Sequence, residues 1–338
     1  MTDRGILREA FIATSGWAGA AVVPLQGDAS FRRYFRLSGP GGRAMLMDAP
    51  PPQEDVRPFQ NIAAILAGLD LSAPLIHAAD AQAGFLLLED LGDATYTRLI
   101  AAGHDEAALY RLAGDTIATL HDRFALANTD SVAPYDDAVF LREAALLADW
   151  YLPEVNGSPT RDSVREDYLA RWAAILPNAR NVPESLILRD YHIDNLMLLP
   201  DRPGVRACGL LDFQDALIGP VTYDIGSLIE DARRDVSPAV ADAVIERYLS
   251  ARAAIDRDAF ARSVAILGAQ RHAKVIGIFC RLMRRDGKPV YLKHLPRLWR
   301  LLERQLAHPA LAPIRDWFDT TIPSVLRGIP AGLGDGSR

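Results

Sequence analysis

The chain has 338 residues, 49% of them apolar and 24% charged, with a formal net charge of −6. A domain or pair of lobes of this size buries a large core without help from metals or disulfides. The acidic balance argues against a nucleic-acid binder, whose footprint is a basic face or stripe. Its 37 basic residues comprise 34 arginines and only three lysines, Lys274, Lys288 and Lys293.

Cys208 and Cys280 stand far apart, which suits a reducing compartment and speaks against a disulfide framework. The opening MTDRGILREA carries charges where a secretory segment needs an apolar run, and the longest apolar stretches fall far short of a membrane span. The expected setting is the cytoplasm, with no membrane, nucleic-acid or obligate protein partner.

In chain order, residues 5–15 predict a short helix. Ala20–Gln26, Phe31–Leu37 and Arg43–Ala49 predict three strands joined by the turns Gly27–Ser30 and Pro40–Gly42, an antiparallel meander. Val56–Leu69 predicts a helix with Phe59, Ile62, Ala63, Leu66 and Leu69 on one face. Leu75–Ala79 and Gly84–Leu88 predict two further strands. Helical periodicity then dominates residues 105–127, 137–150 and 162–176. Ser185–Leu188, Leu196–Leu199 and Val205–Leu211 form a strand-like island. Helices are expected near 224–234, 237–252, 257–283, 291–306 and 310–320, and a frayed tail over 331–338. The expectation is an α+β fold of two lobes: an antiparallel-sheet lobe over 1–90, and a mainly helical lobe over 91–330.

Two segments carry chemistry. In LILRDYHIDNLMLL an apolar strand leads into Asp190, His192 and Asn195 and out into another apolar strand. In ACGLLDFQD an apolar strand ends at Asp212. Polar groups between buried strands are costly unless partnered. Asp190, Asn195 and Asp212 at the ends of short strands meet the needs of phosphoryl transfer. One carboxylate accepts the proton of an attacking hydroxyl, while an amide oxygen and a second carboxylate hold Mg²⁺ on the phosphates.

Asp-x-His-x-x-Asn, with Asp-Phe-Gln-Asp beginning 17 positions after Asn195, resembles the aminoglycoside/choline phosphotransferase family, which shares the protein-kinase fold. Within that family the likeness is greatest to kinases that phosphorylate N-acetylmuramate and N-acetylglucosamine at the anomeric carbon during cell-wall recycling. The strings GDASFRRYFRL, LMDAPPPQEDVRPF, LLLEDLGD, LLDFQDALIGPVTYDIGSLIEDA and QRHAKVIGIFCRLMRRDGKPVYLKHLPR carry the likeness along most of the chain.

The resemblance implies ATP and Mg²⁺ as cofactors and a small sugar as substrate. It makes Asp190 the catalytic base and His192 the catalytic-loop histidine. Asn195 and Asp212 become metal ligands, and Asp224 a brace for the catalytic loop. It puts a hinge at 86–92, with Leu88, Glu89, Asp90 and Leu91 toward adenine. It also puts a phosphate flap at Gly27, Asp28, Ala29 and Ser30. Asp215, Tyr223, Arg271, His272 and Lys274 are candidates for the acceptor side. Other acceptors of the same fold, an aminoglycoside or choline, and a non-catalytic nucleotide-binding regulator are the alternatives.

Two departures stand out. Leu188 occupies a position that is usually histidine in the family. Residues 1–273 contain no lysine, so the strand lysine that clamps phosphates in protein kinases has no counterpart here. Arg32, Arg33, Arg36 and Arg43 are the candidate replacements, because a guanidinium binds phosphate bidentately and stays charged. Glu54 or Asp55 is the candidate partner for such a clamp.

Overall fold

The computed structural model describes residues 3–25, 31–125 and 131–334. In chain order these form α1 (Asp3–Ile12), β1 (Ala21–Pro24), β2 (Arg33–Gly39), β3 (Gly42–Asp48), α2 (Arg57–Gly68), β4 (Ile76–Asp80), β5 (Phe85–Glu89), α3 (Tyr96–Ala101) and α4 (Glu106–Arg123). There follow α5 (Asp137–Leu146), α6 (Leu152–Asn156), α7 (Asp162–Ala179), β6 (Glu184–Ile187), β7 (Leu196–Leu198), β8 (Cys208–Leu210) and β9 (Leu217–Pro220). Last come α8 (Thr222–Ile229), α9 (Pro238–Ala251), α10 (Arg257–Asp286), α11 (Leu295–Leu306), α12 (Ala312–Thr321) and the short α13 (Ala331–Gly334). No described helix is long and apolar enough to cross a membrane.

The chain packs as two compact units. The first holds Met1–Arg123 with Ile193–Ala216, and the second Phe124–His192 with Leu217–Arg338. The sheet ends at Glu89, one residue short of the lobe boundary drawn from the sequence at 90. The division by compactness falls elsewhere, and hydrogen bonds give the reason. The β7–β8 hairpin is fastened to the first unit: Leu210 donates to the Ser72 carbonyl at 2.8 Å and Leu198 to the Ala94 carbonyl at 2.9 Å. The Ser72 hydroxyl closes the turn on the Arg206 carbonyl at 2.7 Å.

In the first unit five antiparallel strands run in the order β1-β2-β3-β5-β4, with the expected meander at one side. Strand alternation puts Phe35, Leu37, Ala44, Leu46, Phe85 and Leu87 on one face. There they pack with Phe11 and Ile12 of α1. Arg33 shares their parity. Tyr34 and Arg36 take the opposite face, beside Met45, Met47, Leu86 and Leu88 in register.

The second unit is built around α10, 30 residues long, which packs against α5, α7, α8 and α11. At Gly277 an added Cβ would lie 2.2 Å from the Leu146 carbonyl oxygen, so only glycine lets α10 approach the end of α5 this closely. The helix expected over 137–150 breaks there into α5, a wide π turn at Leu147–Tyr151 and α6. Other expectations shift as well. The strand expected at Val205–Leu211 is a 3₁₀ turn followed by the short β8. β9 and α3 were not foreseen, being short and lacking periodicity. Of the tail expected to fray, Ala331–Gly334 instead make a helical turn in which Leu333 is 4% exposed, while residues 335–338 lie outside the described residues.

Glu230, at the end of α8, joins three helices. It accepts hydrogen bonds from His272 Nε2 at 2.6 Å on α10, and from Arg304 at 2.5 Å and Gln305 at 2.6 Å on α11. Burial alone would raise its carboxyl, but His272 and Arg304 outweigh that and hold it below the usual range. A depressed carboxyl stabilises the fold above its unfolded pKa, and that stability is lost as the pH falls through the folded value. Glu230→Ala is expected to cost about 3–5 kcal/mol near neutrality, as for other broken buried pairs. Denaturant unfolding should show the gap from wild type narrowing below about pH 4.

Candidate active site

The first sequence segment is divided between the units after His192, and the second lies wholly in the first unit. In the second unit, β6 delivers the chain into Leu188-Arg189-Asp190-Tyr191-His192. Asp224, fully buried in the first turn of α8, accepts the main-chain N–H of Leu188 at 2.6 Å and of Arg189 at 2.8 Å. Leu188 thus enters the brace through its backbone, although its side chain cannot. Burial pushes the Asp224 carboxyl up to about 7, with the two amide donors pulling the other way. Arg189 has φ +69°, a conformation rare for a residue with a side chain, and the two bonds to Asp224 hold the backbone that enters that bend.

Asp190 follows at once and is exposed. Crowding by protein raises its carboxyl, but Lys274, then His192, Arg271 and Arg189, outweigh this and hold it below the ordinary range. His192 is buried. Its Nε2 lies 3.2 Å from Arg233 Nη1. A guanidinium can only donate, so Nε2 accepts and the ring proton belongs on Nδ1. Burial, then Arg233, keeps this imidazole below its usual pKa, so it favours the neutral form.

The acceptor-side candidates separate. Arg271 is 5% exposed, and its Nη1 has no hydrogen-bond partner among the described residues. Lys274 is engaged internally, donating to Glu143 at 2.9 Å and to the Tyr223 hydroxyl at 3.3 Å. Tyr223 is buried with its ring against Tyr135, centroids 5.3 Å apart. His272 is turned into the helical core onto Glu230, which corrects its expected place beside the acceptor. Successive residues of α10 point to different sides, so Arg271 and His272 could not both face one site.

Sequence reasoning missed Glu143. It lies on α5 and is 7% exposed. The signal was present: Phe140, Glu143, Ala144 and Leu147 follow i, i+3, i+4, i+7, so an acid falls on an otherwise apolar face.

In the first unit, Asn195 and Asp212 lie at the open end of the β7–β8 hairpin, one before β7 and the other after β8. Leu211 N–H donates to the Asn195 carbonyl at 3.0 Å, which brings the metal-ligand candidates to adjacent strand ends. Asp212 is exposed, with φ +57°, a left-handed bend that aspartate tolerates better than most residues. The bend turns Phe213 inward onto Phe59 of α2, ring centroids 4.7 Å apart. Gln214 Nε2 donates to Asp212 Oδ1 at 2.8 Å. Asp215 is exposed. No group of three or more acidic, histidine or cysteine side chains suited to an ion occurs among the described residues. The donors present are a few hard oxygens at one hairpin end, which fits Mg²⁺, an ion that keeps several waters and substrate phosphates among its ligands.

The arginines also separate. Arg32 lies 3.7 Å from Glu54 and 3.7 Å from Asp212. Tyr34 stands in the same group. Burial pushes its hydroxyl up to about 12, against the pull of Arg32. Arg36 is committed elsewhere: it donates to Asp93 at 2.9 Å, to Asp90 at 3.1 Å and to the Gly92 carbonyl at 3.2 Å. Where the sequence expected a phosphate ligand, Arg36 is thus paired with the segment that follows β5. Arg43 reaches Asp90 at 3.5 Å, and Arg33 is exposed. Asp55 pairs with its near neighbour Arg57 at 2.7 Å, leaving Glu54 as the partner of Arg32. At the expected hinge, Leu88 is buried and the Glu89 N–H donates to the Leu75 carbonyl at 2.8 Å. Asp90 and Leu91 lie past the end of β5. The flap residues Gly27, Asp28, Ala29 and Ser30 lie outside the described residues.

Residues 21–261 match the phosphotransferase enzyme family. The chain is 42% identical, over 91% of its length and 91% of the relative's, to the N-acetylmuramate/N-acetylglucosamine kinase of Pseudomonas aeruginosa. It is 36% identical to the protein of that name from Caulobacter vibrioides, covering 95% of this chain and 98% of the relative. Among solved structures, choline kinase LicA from Streptococcus pneumoniae superposes with a TM-score of 0.65 at 12% identity, covering 90% of this chain and 99% of that one. The ADP-bound aminoglycoside phosphotransferase APH(2'')-Ib gives 0.60 at 14%, covering 92% and 99%. These likenesses identify the protein-kinase-like fold. With the family match spanning most of its length, the chain belongs to the phosphotransferase enzyme family.

Proposed function

We propose that this protein transfers the γ-phosphoryl group of ATP to the anomeric hydroxyl of N-acetylmuramate or N-acetylglucosamine, with Mg²⁺, in the cytoplasm. The identity of 36–42% to proteins bearing that activity in their names supports the substrate. Charge carries the choice between acceptors. The cations that act on the Asp190 carboxylate are Lys274, Arg271 and Arg189. An aminoglycoside or choline would bring a cation into that surrounding, whereas a neutral sugar or one bearing a carboxylate suits it. Arg271, with its unpartnered Nη1, is the group we assign to the acceptor side.

Asp190 accepts the proton of the attacking hydroxyl. The anomeric hydroxyl is more acidic than an ordinary alcohol, so a carboxylate of low pKa is base enough. Asp224 acts through the backbone of residues 188 and 189 to aim Asp190. His192, neutral and oriented by Arg233, supports the loop. Asn195 and Asp212 would hold Mg²⁺, which when bound neutralises the charge of the phosphates. Arg32, set by Glu54, takes the place of the absent lysine as the phosphate clamp. Leu88–Leu91 would meet the adenine. Most of the acceleration comes from positioning and charge.

Incubation with Mg·ATP and a panel of N-acetylmuramate, N-acetylglucosamine, choline and kanamycin should give ADP and anomeric phosphate with the sugars only. Turnover confined to the amines would sink the assignment. Asp190→Asn should lower kcat about 10³–10⁴-fold with nucleotide binding retained, and Asp212→Asn should raise the Mg²⁺ needed for nucleotide binding. Arg32→Gln should weaken kcat/KM for ATP about tenfold to hundredfold, the worth of a hydrogen bond to a charged group, with Arg32→Lys recovering part. A larger loss in Arg36→Gln would shift the clamp to that residue.

A further inference from the structure

Gln214 has no part in the transfer as described. It stands two residues after Asp212, where the protein-kinase motif Asp-Phe-Gly has glycine. Its backbone is anchored locally. Phe213 packs on Phe59, centroids 4.7 Å apart, and the Ala216 N–H closes the turn on the Phe213 carbonyl at 3.0 Å. From that base Nε2 donates to Asp212 Oδ1 at 2.8 Å. The other end of the same amide is buried, and Oε1 has no hydrogen-bond donor among the described residues. A buried acceptor left unmet costs about 1–3 kcal/mol. This one belongs to the amide that holds an expected metal ligand. A hydrated Mg²⁺, which keeps several waters when bound, carries donors of the kind it lacks.

We propose that Gln214 is a positioning residue for Mg²⁺: Nε2 orients the Asp212 carboxylate, and Oε1 accepts from the hydration shell of the ion. The inference rests on the reading of Asp212 as a metal ligand. An exposed carboxylate on a left-handed bend loses side-chain freedom when it binds an ion, and that loss is smaller if a neighbour already holds it. Groups that orient a metal ligand in this way are worth about 10–100-fold in metal affinity. A neutral amide suits the task. Its N–H favours the ionised carboxylate, yet it brings no positive charge against the ion. Arg32, the cation near Asp212, stands farther off at 3.7 Å. Mg²⁺ demands near-octahedral geometry, so an oriented carboxylate matters more to it than to Ca²⁺, whose ligand sets are flexible. A Gln214 that merely packed the turn would affect stability and leave the preference between ions alone.

The test is Gln214→Met, which keeps the length of the side chain and removes both polar ends. The full chain with ADP is titrated with Mn²⁺, the free ion being read by electron paramagnetic resonance. Mg²⁺ and Ca²⁺ are then added in competition. The expected Mg²⁺ affinity is about 10–100-fold lower. Ca²⁺ should lose less than about threefold, and ADP without metal should bind within about twofold of wild type. An unchanged Mg²⁺ affinity overturns the proposal, and so do equal losses for Mg²⁺ and Ca²⁺. A loss of metal-free ADP binding as large as the loss of Mg²⁺ also overturns it, since the turn itself would then have failed. Should Gln214→Met not fold, Gln214→Asn keeps an amide but draws it back from Asp212. It should shift the preference from Mg²⁺ toward Ca²⁺, and an unmoved preference is equally fatal. Asp212→Asn in parallel separates the two failures. Full Mg²⁺ affinity there removes the metal-ligand assignment, while a loss there beside an unaffected Gln214→Met removes only the role of Gln214.

Discussion

One buried carboxylate, Asp224, accepts the main-chain N–H groups of both Leu188 and Arg189, and the position of Asp190 depends on it. The chain leaves β6 as buried strand and must turn sharply within two residues to present a charged group. Backbone donors released by that turn would be costly if buried and unmet. Asp224 meets two of them from the first turn of a helix that is itself wholly buried. The bend at Arg189 is therefore stored in a rigid frame and not in a mobile loop.

A second constraint is the management of positive charge. The chain relies almost entirely on arginine, and arginine cannot be neutralised by burial as lysine can. Each guanidinium near a functional segment must then have a defined place. Arg36 is spent on Asp90 and Asp93 after β5, Arg32 lies between Glu54 and Asp212, and Arg189 is held by Glu143. Lys274, the first lysine of the chain, lies inside the helical unit and not on the sheet. What distinguishes the sheet arginines is thus the partner each has found.

Much of this architecture was legible beforehand. The meander, α2, α7, α9 and α10 follow from periodicity and turn residues, which act over neighbours in sequence. Asp190, Asn195 and Asp212 stood out because charged groups interrupt apolar strands. Elements of three to six residues, such as α3 and β9, gave no period to read. The π turn at Leu147–Tyr151 was hidden because its cause, the close approach at Gly277, lies 126 positions or more away in the chain.

The sequence by itself determined the family, the order of the motifs and the kinds of group available for phosphoryl transfer, because these depend on residue type and local spacing. The tertiary structure alone decided which partner each of several equivalent residues meets. Arg32 differs from Arg36, Glu54 from Asp55, and Arg271 from His272 only by what lies opposite each. Glu143 differs from any other acid on an apolar face by the Lys274 and Arg189 side chains that meet it. The physical reason is that a charged side chain is defined by its partners, and those partners come from distant parts of the chain.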